Sequence, residues 1–183
     1  KLIKAKLIDK EEQQQLELIA QCGLLAEIAE HKGSEGLLQH WNSLPRKIKS
    51  DLHLVECFTK QLISRKADDQ AFTIIKETLK KHPVADLYKL LPELNLTDNH
   101  PAIVFLEDAL RKDANNAEAH SALAQFHLRT QKWSEAQQHL EKALAQRSNV
   151  SDYAYLADSL EKQNFNKAAH EVSKKALTLA NSK

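Results

Sequence analysis

Nine histidines and two cysteines are the residues that could bind a metal or attack a substrate. His120 and His127 lie seven apart, a spacing that puts both on one helical face, where two imidazoles could ligate an ion or relay a proton. No His-x-x-x-His pair occurs, and no Cys is found in register with a His, so convergent ligation is not expected and His120 and His127 read as packing residues. Cys22 and Cys57 sit in apolar helical patterns without Cys-x-x-Cys spacing, and are expected as buried free thiols of a reducing compartment. The chain has 3 glycines, with no P-loop, nucleophile elbow or dinucleotide fingerprint. An enzyme is therefore not expected.

The elements that carry these residues follow from composition and repetition. Only 3 Gly and 4 Pro interrupt 183 residues rich in Ala, Leu, Lys, Glu and Gln, all good helix formers, so an all-α fold is predicted. A hydrophobic content of 42% suffices for a core. Ala102, Leu106 and Ala109 recur 34 residues later as Ala136, Leu140 and Ala143. That is the length of the tetratricopeptide repeat, a helix-turn-helix unit whose apolar face is buried only by stacking on its neighbours. The predicted fold is an α-α superhelix of about five such units.

The units are read as residues 9–43 (divergent), 50–82, 84–113 (degenerate), 116–147 and 150–180 (terminal), in one array over 1–183. In the first, Asp9 is the expected N-cap, Gly23 a helix end or close-packing point, and HKGSEG (31–36) a loop from which Ser34 caps a helix through Trp41. Leu44-Pro45 ends that helix. Phe58, Ala71 and Pro83 occupy repeat positions of the second unit, whose second helix is capped by Asp68 or Asp69. Pro92 cuts the next unit short, and Asn99 with Pro101 form a cap and first turn. Leu123 and Ala124 align with Leu156 and Ala157 at 33 residues, whereas Trp133 and Ala136 align with Phe165 and Ala168 at 32, which predicts a shorter last turn and a fraying terminus after it.

By register, the inner wall of the array comprises His53, Glu56, Lys60, Ile63 and Ser64, then Glu118, Ser121, Gln125, Leu128 and Arg129, then Ser151, Ala154, Asp158, Glu161 and Lys162. His53, Glu56, Lys60, Gln125, Arg129, Asp158 and Lys162 are the candidate partner contacts. The wall is polar and mixed in sign, without the Lys and Asn run of carboxylate-clamp repeats. Trp133 and Trp41 read as packing residues, with Asn42, Arg46 and Lys47 an alternative exposed recognition corner beside Trp41. A net charge of +1 lacks the basic surplus of a nucleic-acid binder. No apolar run approaches the roughly 20 residues of a membrane span. Lys1, Lys4, Lys6 and Lys10 interleave with Leu2, Ile3, Leu7 and Ile8, either as the cut end of a repeat helix or as a membrane-surface segment. Beginning at Lys1, the chain reads as an excised part of a longer protein.

Gly33 to Lys47 (GSEGLLQHWNSLPRK), QKWSEAQQHLEKALAQRS and Asp152 to Asp158 (DYAYLAD) resemble the C-terminal repeat region of the HemY proteins of Gram-negative bacteria, over about Leu16 to Leu177. The resemblance implies two N-terminal membrane helices outside this chain, an inner-membrane location with the repeats on the cytoplasmic face, and an association with late protohaem synthesis without established catalytic residues. It implies nothing of the unrelated flavin-dependent protoporphyrinogen oxidase that shares the name. Three roles follow as alternatives: a scaffold for pathway enzymes such as ferrochelatase, a carrier of haem or porphyrin as a transient ligand with His53 the first choice for the iron, or a repeat adaptor unconnected with haem. No resident cofactor is expected.

Overall fold

The computed structural model describes residues 10–181, with side chains from Glu12 onward; Asp9 and the Lys/Leu/Ile alternation before it lie outside the described residues. Ten α-helices and one 3₁₀ turn, with no strand among the described residues, confirm the all-α tetratricopeptide fold. The chain comprises two compact units, Lys1–Thr78 and Leu79–Lys183.

In the first unit, α1 (Lys10–Ser43) is followed by α2 (Arg46–Lys49), α3 (Leu52–Ser64) and α4 (Asp68–Leu79), which leads into the second unit. Gly23 neither ends α1 nor packs closely, because a Cβ there would meet nothing within 4 Å; isolated helical glycine costs only about 1 kcal/mol, which long flanking helix outweighs. The expected loop at 31–36 is a kink inside α1. Gly33 takes φ 64°, ψ −165°, open only to glycine, and a Cβ on Gly36 would clash with that of Lys32. The kink divides α1 into two helical stretches, and the second carries Trp41 as the sequence predicts. Beyond the kink Trp41 stacks on Phe58 of α3, with ring centroids 4.1 Å apart and planes within 5°. Leu25, Leu37, Leu54 and Leu62 lie in the buried core of this unit with Ala71 and Ile75, and Pro45 follows the end of α1 as the sequence predicts.

The second unit contains α5 (Ala85–Leu90), a 3₁₀ turn (Leu91–Glu93), α6 (His100–Lys112), α7 (Ala117–Arg129), α8 (Trp133–Gln146), α9 (Val150–Lys162) and α10 (Asn166–Asn181). Pro92 falls in the 3₁₀ turn, since it can neither donate to nor fit within a continued α-helix. Pro101 lies in the first turn of α6, but the Asn99 side chain caps nothing. Asp98 Oδ1 accepts from the His100 N–H instead, at 2.8 Å, and Asn99 Oδ1 is buried without a partner.

Three helices, α3, α7 and α9, are built alike. Each has 13 residues and an Asx N-cap, with Asp51, Asn116 and Asn149 accepting from the N–H groups of Leu54, Ala119 and Asp152 at 3.0, 2.9 and 3.0 Å. Each ends with a residue at positive φ, Lys66 (57°), Gln131 (58°) and Asn164 (65°). The next N–H in each case reaches five residues back, Ala67 to Leu62, Lys132 to His127 and Phe165 to Leu160, all at 2.9 Å. These are Schellman stops that use non-glycine residues.

This turn corrects the expected 32-residue register. Gln131 and Asn164 are equivalent at 33, so Ala136 corresponds to Ala169, whose N–H bonds Phe165 O as that of Ala136 bonds Lys132 O. Ala169 is buried, whereas Ala168 is exposed and Phe165 is 54% exposed. Pairing one aromatic with another misaligned the helices. The core of α7 to α10 is Ala124, Leu140, Leu156, Leu160 and Ala169, flanked by Leu144 and Val172. Ala102, Leu106, Leu123, Ala136 and Ala143 are buried as well, Ala109 is half-buried and Pro83 is exposed.

Candidate functional site

The register positions of the inner wall differ in how far their side chains are already engaged. On α7, Glu118 accepts two bonds from Arg147, from Nε and Nη2, both at 2.7 Å. Arg147 Nη1 donates to Asp152 Oδ2 at 2.7 Å, and Ser121 donates to Asp152 Oδ1 at 2.6 Å. Asp152 is 1% exposed, so its charge needs these partners. Burial opposes the Arg147 charge, but the Glu118 and Asp152 carboxylates outweigh it and raise the guanidinium pKa. Glu118 and Ser121 thus join α7 to α9.

Arg129 is engaged too. Its guanidinium donates to the carbonyls of Leu94 (3.3 Å) and Pro92, closing the irregular segment after the 3₁₀ turn, and lies over the Phe126 ring. Gln125 donates to the carbonyl of Ser121 at 3.4 Å. On α3, Lys60 pairs with Glu56 at 2.6 Å, while His53 is exposed.

The terminal helix pair is different. Asp158 and Lys162 are exposed, as is Glu161, and none of them forms an ion pair with another described residue. Asp158 and Glu161 border an open groove of about 640 Å³ between α9 and α10. Its apolar lining comes from Ala154, Ala157, Ala169, Ala176 and Leu177, the last 63% exposed, with His170 and Ser173 on the α10 side. An apolar floor with an acidic margin suits a peptide or helix carrying apolar and basic side chains.

Three histidines occupy the interior of the α7–α8 pair. His120 is 3% and His127 9% exposed, and between them stands His139 of α8, which the sequence reading passed over. His120 Nε2 lies 3.0 Å from the Ala114 carbonyl and must donate to it, which leaves its Nδ1 to accept from His139 Nδ1–H at 2.8 Å. Burial, then the neighbouring His120 and His127 and Lys142, lower the His139 pKa to about 4. Burial also lowers those of His120 and His127. The trio is therefore a neutral packing cluster at pH 7. Trp133 is half-buried, and its carbonyl accepts from Ser159 at 2.7 Å.

The cysteines overturn two expectations. Cys22 and Cys57 form a disulfide, with Cα atoms 5.6 Å apart, and both are partly exposed rather than buried. Packing of α1 on α3 brings together residues 35 apart in sequence, which no local pattern could reveal. Nor do the cysteines lack a histidine in register: His53 and Cys57 are four apart on α3, with Nε2 4.0 Å from Sγ. The inference of a reducing compartment from free thiols falls with them.

A tetratricopeptide-repeat family model matches residues 98–160, spanning α6 to α9. Protein HemY of Escherichia coli strain K12 is 33% identical over 165 residues, covering 88% of this chain, and that of Shigella flexneri matches equally. The chain is a HemY-family tetratricopeptide-repeat region. It spans 40% of the length of those curated HemY relatives. Solved structures of MamA share the fold, at TM-score 0.60 with 17% identity over 86% of this chain and 95% of theirs, and at TM-score 0.58 with 15% identity over 91% and 96% for the Desulfovibrio magneticus RS-1 protein. Among the described residues of this HemY-family region, no helix is long and apolar enough to cross a membrane. A repeat fold of this kind serves protein–protein interaction.

Proposed function

We propose that this HemY-family region is a non-catalytic scaffold that holds enzymes of late protohaem synthesis, ferrochelatase among them, at the cytoplasmic face of the bacterial inner membrane. Membrane attachment would come through segments outside this chain. The observation that carries the reading is the contrast along the repeats. Charged side chains on α7 are committed to internal ion pairs and carbonyls, whereas Asp158 and Glu161 beside the α9–α10 groove are exposed and without ion-pair partners among the described residues. A side chain already paired must give up that pair to meet a partner, whereas an exposed acid without an ion pair gives up only its hydration.

Calorimetric titration of the chain with purified ferrochelatase tests this. Saturable binding is expected, weakened at least tenfold by Asp158→Lys with Glu161→Lys at unchanged helicity. Wild-type-like affinity of the double variant would refute the groove as the contact.

A tetrapyrrole carrier is the second reading, favoured by the exposure of His53 beside the Cys57 sulfur. It requires a saturable Soret change on titration with haem that His53→Ala abolishes. A haem-independent adaptor role is the outcome if neither ferrochelatase nor haem binds.

A further inference from the structure

Cys22 Sγ, Cys57 Sγ and His53 Nε2 all lie within 4.8 Å of one another. From this convergence we infer a thiol-gated zinc site between α1 and α3: the disulfide is its metal-free oxidised state, and the reduced chain binds Zn²⁺ through two thiolates and one imidazole. The donor set is one that zinc favours, soft sulfur with a borderline nitrogen, and three protein ligands leave the fourth tetrahedral position to water.

The geometry fits an ion of that size. His53 and Cys57 occupy positions i and i+4 of α3, the spacing at which two helical side chains reach one metal, and α1 supplies the third ligand from the facing side. Zn–S bonds of about 2.3 Å and a Zn–N bond of about 2.0 Å place tetrahedral donors roughly 3.5–3.8 Å apart. Cys57 Sγ and His53 Nε2 already stand 4.0 Å apart. With the Cα atoms of the cysteines 5.6 Å apart, the sulfurs reach such a separation by rotation about their Cα–Cβ bonds. All three residues retain access to solvent, His53 being exposed and the cysteines partly so, which gives reductant and metal a route in. Three donors within 4.8 Å of one another suit a bare ion; a haem iron offers only its two axial positions, on opposite faces.

The two states exclude each other. A dithiol reductant supplies two electrons and two protons, the Cys22–Cys57 S–S bond breaks, both sulfurs leave as thiols, and the reductant becomes a disulfide. Zn²⁺ then displaces the two thiol protons to solvent as two Zn–S bonds form, and the His53 Nε2 lone pair makes the third bond. Each state clamps α1 to α3, so the switch alters metal occupancy and the exposed His53 face while retaining the helix pair.

The test uses the whole 183-residue chain, oxidised or reduced by a water-soluble phosphine under nitrogen, which transfers oxygen from water to phosphorus and its hydrogens to the sulfurs. Co²⁺ is the spectroscopic probe and Zn²⁺ the competitor. The reduced chain is expected to take one equivalent of Co²⁺, with the visible bands of a tetrahedral ion and a near-ultraviolet thiolate charge-transfer band, and to lose both on adding Zn²⁺; the oxidised chain should show neither. His53→Gln, at an exposed position, should weaken binding about tenfold or more while keeping the charge-transfer band and the helicity of the wild type. Cys57→Ser, which leaves one thiolate, should weaken binding further and at least halve that band. No tetrahedral cobalt spectrum from the reduced wild-type chain, or equal cobalt affinity in the oxidised chain or in His53→Gln, overturns the proposal.

Discussion

Acidification should loosen the second compact unit through the His120–His139–His127 cluster, by an amount that the geometry bounds. His139 stands at an ordinary 6.5 when unfolded and at about 4 in the folded chain, held down by burial first and by the two neighbouring rings and Lys142 next. A depressed imidazole pKa means that the unfolded chain takes up the proton first. Stability is therefore intact above about pH 6.5 and is lost as pH falls from there towards 4, below which this contribution levels off. Each pH unit is worth about 1.4 kcal/mol, so the full gap would give about 3 kcal/mol; partial exposure of the ring reduces this to about 2 kcal/mol. His120 and His127 shift the same way and add to the loss. The measurement is urea unfolding of wild type and His139→Phe at pH 7.5 and pH 4.5. His139→Phe should be less stable at pH 7.5, because His120 Nδ1 loses the donor 2.8 Å away, yet should fall less on acidification, by about 2 kcal/mol. Other titrating groups, Glu107, Asp113 and Glu135 among them, remain in both proteins and cancel in the comparison. Equal losses in the two proteins would refute the assignment of a neutral buried cluster.

Three further outcomes follow from the packing. Arg147→Ala leaves the carboxylate of Asp152, 1% exposed, without its cation and should cost about 3 kcal/mol in denaturant unfolding, much of it recovered when Asp152→Asn is added. Gln131→Gly should raise stability by about 0.5–1 kcal/mol, because the native φ of 58° suits glycine, and the thermal midpoint should rise with it. Leu140→Ala, at the fully buried centre of the α7–α10 core, should cost 2–5 kcal/mol.

The repeat was legible because its determinants are local. Ala136, Leu140 and Ala143 mark the buried stripe of α8, and Pro92 and Pro45 mark places where helix cannot continue. Tertiary placement was not legible. Cys22 and Cys57 are brought together by the crossing of α1 and α3, and His139, within QQHLEK, carries no sign that two histidines of α7 will enclose it. Positive φ at Lys66, Gln131 and Asn164 also left little trace, since the usual glycine is absent, so the last turn was misaligned by one residue. The register named the side chains of the wall but could not tell engaged from free. Arg129 reaches the carbonyls of Leu94 and Pro92, more than 30 residues away in sequence, whereas Asp158 reaches solvent.

Partner binding at the α9–α10 groove is tested most directly by a photo-crosslinking residue placed at Ala154, on the groove floor, and in parallel at Arg111, an exposed residue of α6 outside it. With purified ferrochelatase, Ala154 should give a single cross-linked species that excess unlabelled chain suppresses, and Arg111 should give none. Cross-linking equal at both positions, or absent from Ala154, would contradict the account.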